Sequence, residues 1–240
     1  MQPITMQPIT MQPINQATED FAALRAAVKR QGFAVLQSRA TPEGCTHIKA
    51  FIDQYPKENA EINYGGTEKR IWGSHTKDPA IRAFGEISDQ VMRAVFNAQP
   101  KVKTVLSYSN HPIPQEDRLI TGRWHLDSLR HQYKLFCFLS RTEERTGPLE
   151  VVPGTHRTAF KMWSLMSCQY IAPSDLGSGK RRYQKLNEQW VDAKCRKSGG
   201  SVPFLCEAGT LILVDTSAIH RARPCLEGHR YALCAYYDHF

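Results

Sequence analysis

The spacing of hydrophobic residues changes near Val102, from a helical period to the alternation that is typical of strands. Before this point the pattern predicts helices that begin near Thr18, at Thr41 and at Asp78, and it leaves residues 56–77 as loop. After it, short strands separated by Gly/Pro turns are predicted over 102–109, 133–140, 149–152, 202–206, 210–215 and 230–237. We therefore expect a mainly β fold with flanking helices, a sandwich or barrel of the jelly-roll kind.

The chain has 240 residues, of which 41% are hydrophobic, and this is enough for one large domain with its own core. Residues 1–15 repeat a pentapeptide three times (MQPIT, MQPIT, MQPIN), and a proline at every fifth position opposes a helix. We interpret residues 1–17 as a flexible tail and residues 18–240 as a single domain, whose first part, residues 18–98, is largely helical.

Composition disfavours several classes of protein. No apolar run reaches about 18 residues, so no membrane span is expected, and residues 1–16 lack the pattern of a secretory signal. Seven cysteines without any Cys-x-x-Cys pair favour reduced thiols in a cytoplasmic protein. The net charge of +8 favours acidic partners. Nucleic acid is nevertheless a disfavoured partner, because the sequence has neither zinc-finger spacing nor a convincing helix-turn-helix pattern.

Residues 157–200 differ from the rest of the second half, because they are polar, basic and only weakly periodic. One interpretation is a solvated loop. The other is a lid beside the mouth of a barrel, which binds an anionic small-molecule substrate through Arg181 and Arg182. The second interpretation predicts that replacing both arginines by alanine raises KM for the substrate without changing metal binding.

His125 and Asp127 are two residues apart in a segment that reads as extended, so their side chains project to the same side. A second histidine, His220, stands at the end of an apolar run far downstream. Two imidazoles and one carboxylate are the ligands of a mononuclear non-haem iron(II) site, where they occupy one face of the metal and leave the remaining positions open. These three residues are the candidate metal ligands, and no other side chain is needed as a catalytic acid or base.

Arg230 is the candidate cofactor-binding residue. An oxo-acid that chelates iron through a carboxylate and a keto oxygen has a distal carboxylate, and arginine binds such a group with two parallel hydrogen bonds. The segment between His220 and Arg230 contains Pro224 and Gly228 and suits a hairpin. If the two strands are antiparallel neighbours, both side chains point into one interior.

These features together resemble the phytanoyl-CoA hydroxylase-like family of Fe(II)/2-oxoglutarate-dependent dioxygenases, over residues 18–240. The resemblance is carried by Gly32–Leu36, Trp124–Asp127, Gly147–His156, Gly209–Leu211, and His220 with Arg230. It implies a double-stranded β-helix, a distorted jelly roll like that of the cupins, with helices packed outside. It also implies that 2-oxoglutarate is converted to succinate and CO2 while a C–H bond of a small molecule is hydroxylated.

Carried over residue by residue, the resemblance assigns iron(II) to His125, Asp127 and His220, and the distal carboxylate of 2-oxoglutarate to Arg230. Many relatives have serine or threonine two residues after the distal histidine, where this chain has Ala222, and the second anchor of the cofactor is therefore open. Related halogenases lack the metal carboxylate, so Asp127 disfavours halogenation.

Alternatives remain open at two levels. The whole chain could be a cupin-like metal-binding barrel without 2-oxoglutarate oxygenase activity. Among single residues, Lys134 either contacts the cofactor or ends its strand in solvent, and His156 is expected to be a turn residue instead of a further ligand.

Overall fold

Two antiparallel sheets form the centre of the protein in the computed structural model, which describes residues 20–36, 40–113, 122–171 and 186–237. Within these residues the strands are β1 (Phe33–Leu36), β2 (Glu61–Asn63), β3 (Glu68–Ile71), β4 (Thr104–Asn110), β5 (Tyr133–Phe138), β6 (Leu149–Val151), β7 (Val202–Pro203), β8 (Leu211–Asp215), β9 (His220–Ala222) and β10 (Arg230–Tyr236). The helices are α1 (Phe21–Gln31), α2 (Pro42–Gln54), α3 (Pro79–Phe96), α4 (Thr158–Ser167) and α5 (Glu188–Ser198).

The larger sheet has seven strands in the order β1-β8-β5-β10-β4-β3-β2, and the smaller has three in the order β7-β6-β9. Strand β5 is an inner strand of the larger sheet, where Lys134 is paired with Val214 of β8 on one side and with Tyr236 of β10 on the other. A mainly β fold with flanking helices is thus confirmed, with most of the predicted strands in place.

The larger sheet separates two hydrophobic clusters. On one face, Leu135 and Cys137 pack with the buried sides of α2 and α3. On the other face, Phe136 and Phe138 pack with residues of the smaller sheet such as Val151. Side chains alternate along a strand, which is why neighbouring residues of β5 enter different clusters. The space between the two sheets is where the candidate site lies.

Helix starts follow the predicted caps. Thr41 accepts a hydrogen bond from the amide of Gly44 at the start of α2. Asp78 accepts two, from the amides of Ala80 and Ile81, at the start of α3. The first helix begins at Phe21 and is capped by Asp20, a few residues later than the expected start.

Two segments that were expected to be loops contain regular structure. Residues 56–77 hold β2 and β3, because β3 pairs with β4 and so satisfies its backbone groups across the sheet. Residues 157–200 hold α4 and α5 in their described parts, so the loop interpretation is wrong there. Both helices supply side chains, Phe160 and Val191, to the cluster that buries Trp124. Arg181, Arg182 and the tail over residues 1–17 lie outside the described residues.

The expected hairpin between His220 and Arg230 is also wrong. Strand β9 pairs with β6 in the smaller sheet, whereas β10 pairs with β4 and β5 in the larger one. The two residues therefore approach the interior from opposite sheets. No helix among the described residues is both long enough and apolar enough to cross a membrane.

The cap of α3 gives a test of the fold. Asp78 is 6% exposed and also contacts His47 at 2.9 Å between Oδ2 and Nε2. We expect Asp78→Ala to lower the free energy of unfolding by about 1–2 kcal/mol, because two amides lose their acceptor, as measured by urea denaturation. The matched control is Asp20→Ala, which removes one bond at an exposed cap and should cost less than half as much. Equal effects would contradict this account.

Candidate metal centre

His125, Asp127 and His220 come together between the sheets, with one ligand atom of each within 4.8 Å of the others. The Nε2 atom of His220 lies 3.5 Å from Oδ2 of Asp127, and the Nε2 atom of His125 lies 3.7 Å from Oδ1. The two imidazole rings are 4.3 Å apart between centroids. In the described part of the chain this is the one cluster of three or more His, Cys, Asp or Glu side chains close enough to share a metal ion.

Backbone hydrogen bonds bring these distant residues together. His125 and His220 exchange two of them, each 2.9 Å long, as an isolated antiparallel bridge. Residues paired in this way present their side chains on the same side of the ladder. The amide of Asp127 donates to the carbonyl of Thr216 at 3.0 Å, which extends the contact by two residues. Trp124 and Leu126 alternate with the candidate ligands and are buried on the opposite side.

The tautomer of each histidine follows from its second contact. The Nδ1 atom of His125 is 2.9 Å from the carbonyl oxygen of Arg123, and that of His220 is 2.9 Å from the carbonyl oxygen of Ala218. A carbonyl oxygen only accepts, so Nδ1 must carry the proton in both rings. When either ring is neutral, its Nε2 is therefore unprotonated and faces Asp127, as a metal ligand requires.

The electrostatics of the cluster also suit a cation. Burial, together with the neighbouring imidazole of His220, lowers the pKa of His125 to about 4. Burial by itself would raise the pKa of Asp127, but His220 and Lys134 outweigh it and hold the pKa of that carboxyl well below its ordinary value. At neutral pH the cluster thus offers a neutral His125 and an ionised Asp127, which are the protonation states that bind metal.

Lys134 lies inside a cavity between the two sheets, so the alternative that it ends its strand in solvent is wrong. It is 7% exposed, and its Nζ donates to Oδ2 of Asp127 at 2.7 Å. The same ammonium lies 4.1 Å from the ring centroid of Tyr236. The sequence indicated that Lys134 faces the same way as Phe136, but its contact with Asp127 depends on how the sheet meets the segment before it.

Arg230 is a buried guanidinium with unused donors. Its side chain is 4% exposed, and Nη2 donates to Oδ1 of Asn110 at 2.7 Å. Within the described residues, the remaining nitrogens, Nε and Nη1, have no hydrogen-bond partner. Because an unpaired buried charge is costly, these two donors point to an anionic ligand. The arginine lines the same cavity as the three candidate metal ligands.

Asn110 accepts a hydrogen bond from Arg230 and donates one to Glu68. Neither residue was predicted from the sequence. The Asn110 amide nitrogen donates to Oε1 of Glu68 at 3.1 Å, and Oε2 of Glu68 is paired with Nε of Arg70 at 2.9 Å. Asn110 is opposite Arg230 and Glu68 in the registers of β4 with β10 and β3. Nothing in the sequence marks Asn110, because its role arises only from strand pairing.

The cavity that contains these groups has a volume of about 320 Å³. Tyr108, Phe136 and Tyr236 form its aromatic walls, and Ala222 lies among the lining residues as well. An adjoining cavity of about 290 Å³ shares His125, Ala222 and Arg230, and extends the space toward the loop around Pro224. Arg230 and Tyr236 of β10 thus face the same cavity.

A buried ion-pair network supports the smaller sheet behind the cluster. Glu150 is 1% exposed and accepts from Nε of Arg221 at 2.9 Å and from Nη2 of Arg223 at 2.8 Å. Burial opposes its ionisation, but the bonds from Arg223, Ser201 and Arg221 lower the pKa of Glu150 to about 2. The guanidinium of Arg221 also lies 4.1 Å from a ring centroid of Trp124. The network thus connects β9 to the segment that carries His125.

His156 does not join the cluster. It lies in a turn at residues 153–156, and its Nε2 is 3.2 Å from the carbonyl oxygen of Lys29. The expectation of a turn residue is confirmed.

Two imidazole nitrogens and one carboxylate, facing an open cavity, are a donor set that fits a divalent iron ion.

Among the solved structures that share this fold are enzymes described with iron, nickel or alpha-ketoglutarate. The carbocyclase SnoK from nogalamycin biosynthesis, described as a non-heme alpha-ketoglutarate-dependent enzyme, has a TM-score of 0.69 and 15% identity, over 94% of this chain and 86% of that one. EctD from S. alaskensis with bound Fe has a TM-score of 0.68 and 16% identity, over 98% and 82%. HygX from Streptomyces hygroscopicus, with nickel and 2-oxoglutarate bound, has a TM-score of 0.62 and 13% identity, over 90% and 86%.

A search of curated proteins found no match. In contrast, a model of one protein family, described as phytanoyl-CoA dioxygenase (PhyH), matches residues 28–227. The match includes the cluster segment around His125 and Asp127, His220, and the strands β1 to β9 that enclose them. The chain therefore belongs to the phytanoyl-CoA dioxygenase family.

Proposed function

We propose that this protein is an iron(II)- and 2-oxoglutarate-dependent dioxygenase that hydroxylates a small molecule and releases succinate and CO2. The observation that carries the proposal is the combination in one cavity of two histidines whose Nε2 atoms face Asp127, the carboxylate of Asp127 itself, and two buried donors of Arg230 that have no partner among the described residues. The fold we propose for residues 18–240 is a single double-stranded β-helix domain, in which the two sheets are the two faces of a jelly roll.

The phytanoyl-CoA dioxygenase family uses iron(II) and 2-oxoglutarate, and the expectation of these two cofactors is confirmed. When bound, the iron and the oxo-acid supply the oxidising chemistry. His125, Asp127 and His220 would hold the metal through Nε2, a carboxylate oxygen and Nε2. Arg230 would hold the distal carboxylate of 2-oxoglutarate with Nε and Nη1, the two nitrogens that have no other partner.

Tyr108 supplies the second anchor of the cofactor, in our proposal. Ala222 lines the cavity beside Arg230 but has no hydroxyl to donate. The ring centroid of Tyr108 lies 5.8 Å from Cζ of Arg230, and both residues line the cavity. Burial raises the pKa of Tyr108, so the hydroxyl stays protonated and can donate to a carboxylate.

The protein's own side chains bind and orient the reactants, and none of them needs to act as an acid or base. The aromatic walls formed by Phe136, Tyr108 and Tyr236 exclude water and favour an organic substrate of modest size. Asp127 occupies the position that would otherwise accept a halide, which favours hydroxylation. SnoK is described as a carbocyclase, so the fold by itself does not select hydroxylation. Arg181 and Arg182 as contacts for an anionic substrate stay a prediction.

Replacing Asp127 tests the metal site. We expect Asp127→Ala to lower succinate formation by more than about 100-fold, since even partners outside the ligand set contribute about 10–100-fold to metal sites. Iron(II) binding, measured by anaerobic calorimetry, should weaken in parallel. Asp192→Ala, on the exposed side of α5, is the matched control and should leave both unchanged. Full activity of the Asp127 variant would remove the proposed metal assignment.

Replacing Arg230 tests cofactor binding and separates the oxygenase from a cupin-like barrel with another role. We expect Arg230→Gln to weaken 2-oxoglutarate binding by at least about 30-fold, because breaking a buried charged pair costs about 2–5 kcal/mol, while iron(II) affinity changes little. The visible absorption band of anaerobic protein with iron(II) and 2-oxoglutarate reports the affinity. Arg145→Gln removes an exposed arginine and should have no effect. If wild-type protein gives neither the band nor succinate in air, the barrel alternative is favoured.

Tyr108→Phe tests the second anchor. Losing one hydrogen bond to a carboxylate should weaken 2-oxoglutarate binding about tenfold or more, since such bonds contribute about 1.5–3 kcal/mol. Adding Ala222→Ser to this variant should restore much of the affinity by returning a hydroxyl next to Arg230. Tyr133→Phe, on the helix-facing side of β5, is the control. Unchanged affinity in Tyr108→Phe would show that this hydroxyl is not an anchor.

A further inference from the structure

Lys134 holds an unusual position for a cation. It lies on β5, an inner strand of the larger sheet, and its side chain crosses the space between the sheets to reach Asp127. Its ammonium is fixed on two sides, by Oδ2 of Asp127 at 2.7 Å and by the ring of Tyr236 at 4.1 Å. Tyr236 in turn packs against Trp72, with ring centroids 5.3 Å apart. The lysine is therefore held in place and is not a mobile surface side chain.

A lysine in contact with Asp127 lowers the affinity of the candidate site for a metal ion. Its positive charge repels a cation bound to the same carboxylate, and its hydrogen bond competes with the metal for Asp127. Burying an ammonium also costs free energy unless the group is well paired. A site built only to bind metal tightly would gain from an apolar side chain here, so the lysine must contribute something else.

The geometry of the carboxylate indicates what that contribution is. Lys134 donates to Oδ2 of Asp127, which also lies 3.5 Å from Nε2 of His220, whereas Oδ1 lies 3.7 Å from Nε2 of His125. With Oδ2 engaged by the ammonium, the carboxylate offers the metal one oxygen instead of two. An octahedral metal with two histidines and one carboxylate oxygen keeps three positions open. A carboxylate that bound through both oxygens would fill one of them.

We infer that Lys134 is a positioning residue that acts through Asp127, keeping the carboxylate a one-oxygen ligand so that a chelating oxo-acid and a further ligand find open positions. The inference rests on the proposed function, because open positions matter only if 2-oxoglutarate chelates the metal. It assigns to Lys134 a role that is distinct from holding the metal and distinct from the anchoring role of Arg230.

The test compares the affinities for metal and for 2-oxoglutarate in Lys134→Met. This substitution keeps the length of the side chain and removes its charge and its donors. Calorimetry with Co(II), without oxygen, should give an affinity that is unchanged or up to about tenfold tighter, because a repelling charge is gone. Binding of 2-oxoglutarate to the Co(II)-loaded protein should weaken about tenfold, because the second carboxylate oxygen occupies a position that the chelate needs. Lys134→Gln is measured in the same way, so that a folding failure of one variant does not decide the result.

The control is Lys161→Met, since Lys161 donates to Ser217 at the same distance of 2.7 Å and contacts no candidate ligand. This variant should change neither affinity. If Lys134→Met and Lys134→Gln weaken both affinities together, or change neither, the inference is overturned while the proposed function stands. If wild-type protein binds Co(II) but not 2-oxoglutarate, the proposed function fails, and the role of Lys134 fails with it.

Discussion

The pair of backbone hydrogen bonds between His125 and His220 is the contact on which the candidate site depends. The two residues are distant in sequence, and these bonds pair the short segment around His125 with the start of β9, next to the bond from Asp127 to Thr216. Backbone pairing fixes the direction of both side chains. Each imidazole is then fixed by a carbonyl two residues away, so the backbone determines both the position and the tautomer of each candidate ligand.

The two sheets contribute different kinds of groups to the cavity. The smaller sheet and the segment beside it supply the candidate metal ligands, and the buried Glu150 with its arginines stabilises that side. The larger sheet supplies cations and aromatic rings, namely Lys134, Arg230 and Tyr236. An anion bound between the sheets is therefore attracted from one side while a cation is held on the other. Lys134 is the exception, because it reaches across to the metal side.

Several candidate site residues could be predicted because their chemistry can be read locally. His125 and Asp127 share a face through simple alternation, and Arg230 was chosen because a guanidinium suits a carboxylate. In contrast, Asn110, Tyr108 and the contact made by Lys134 depend on which strands are neighbours, and residue spacing does not report that. The expected hairpin failed for the same reason. A short connection favours neighbouring strands, but β9 pairs with β6 in the smaller sheet, whereas Ala232 and Cys234 of β10 pack into the hydrophobic cluster between the sheets from the larger one.

The sequence by itself determined the class of fold, the faces of its strands, the candidate ligands and the resemblance to a dioxygenase family. These follow from periodicity and residue type, which are properties of short segments. Only the tertiary structure decided that the described parts of residues 157–200 contain helices. Their apolar side chains pack in one cluster with Trp124, which is distant in the sequence. The tertiary structure also decided that Arg230 has unused donors and that Lys134 contacts Asp127. Burial and pairing between distant residues set those properties, and they exist only once the two sheets face each other.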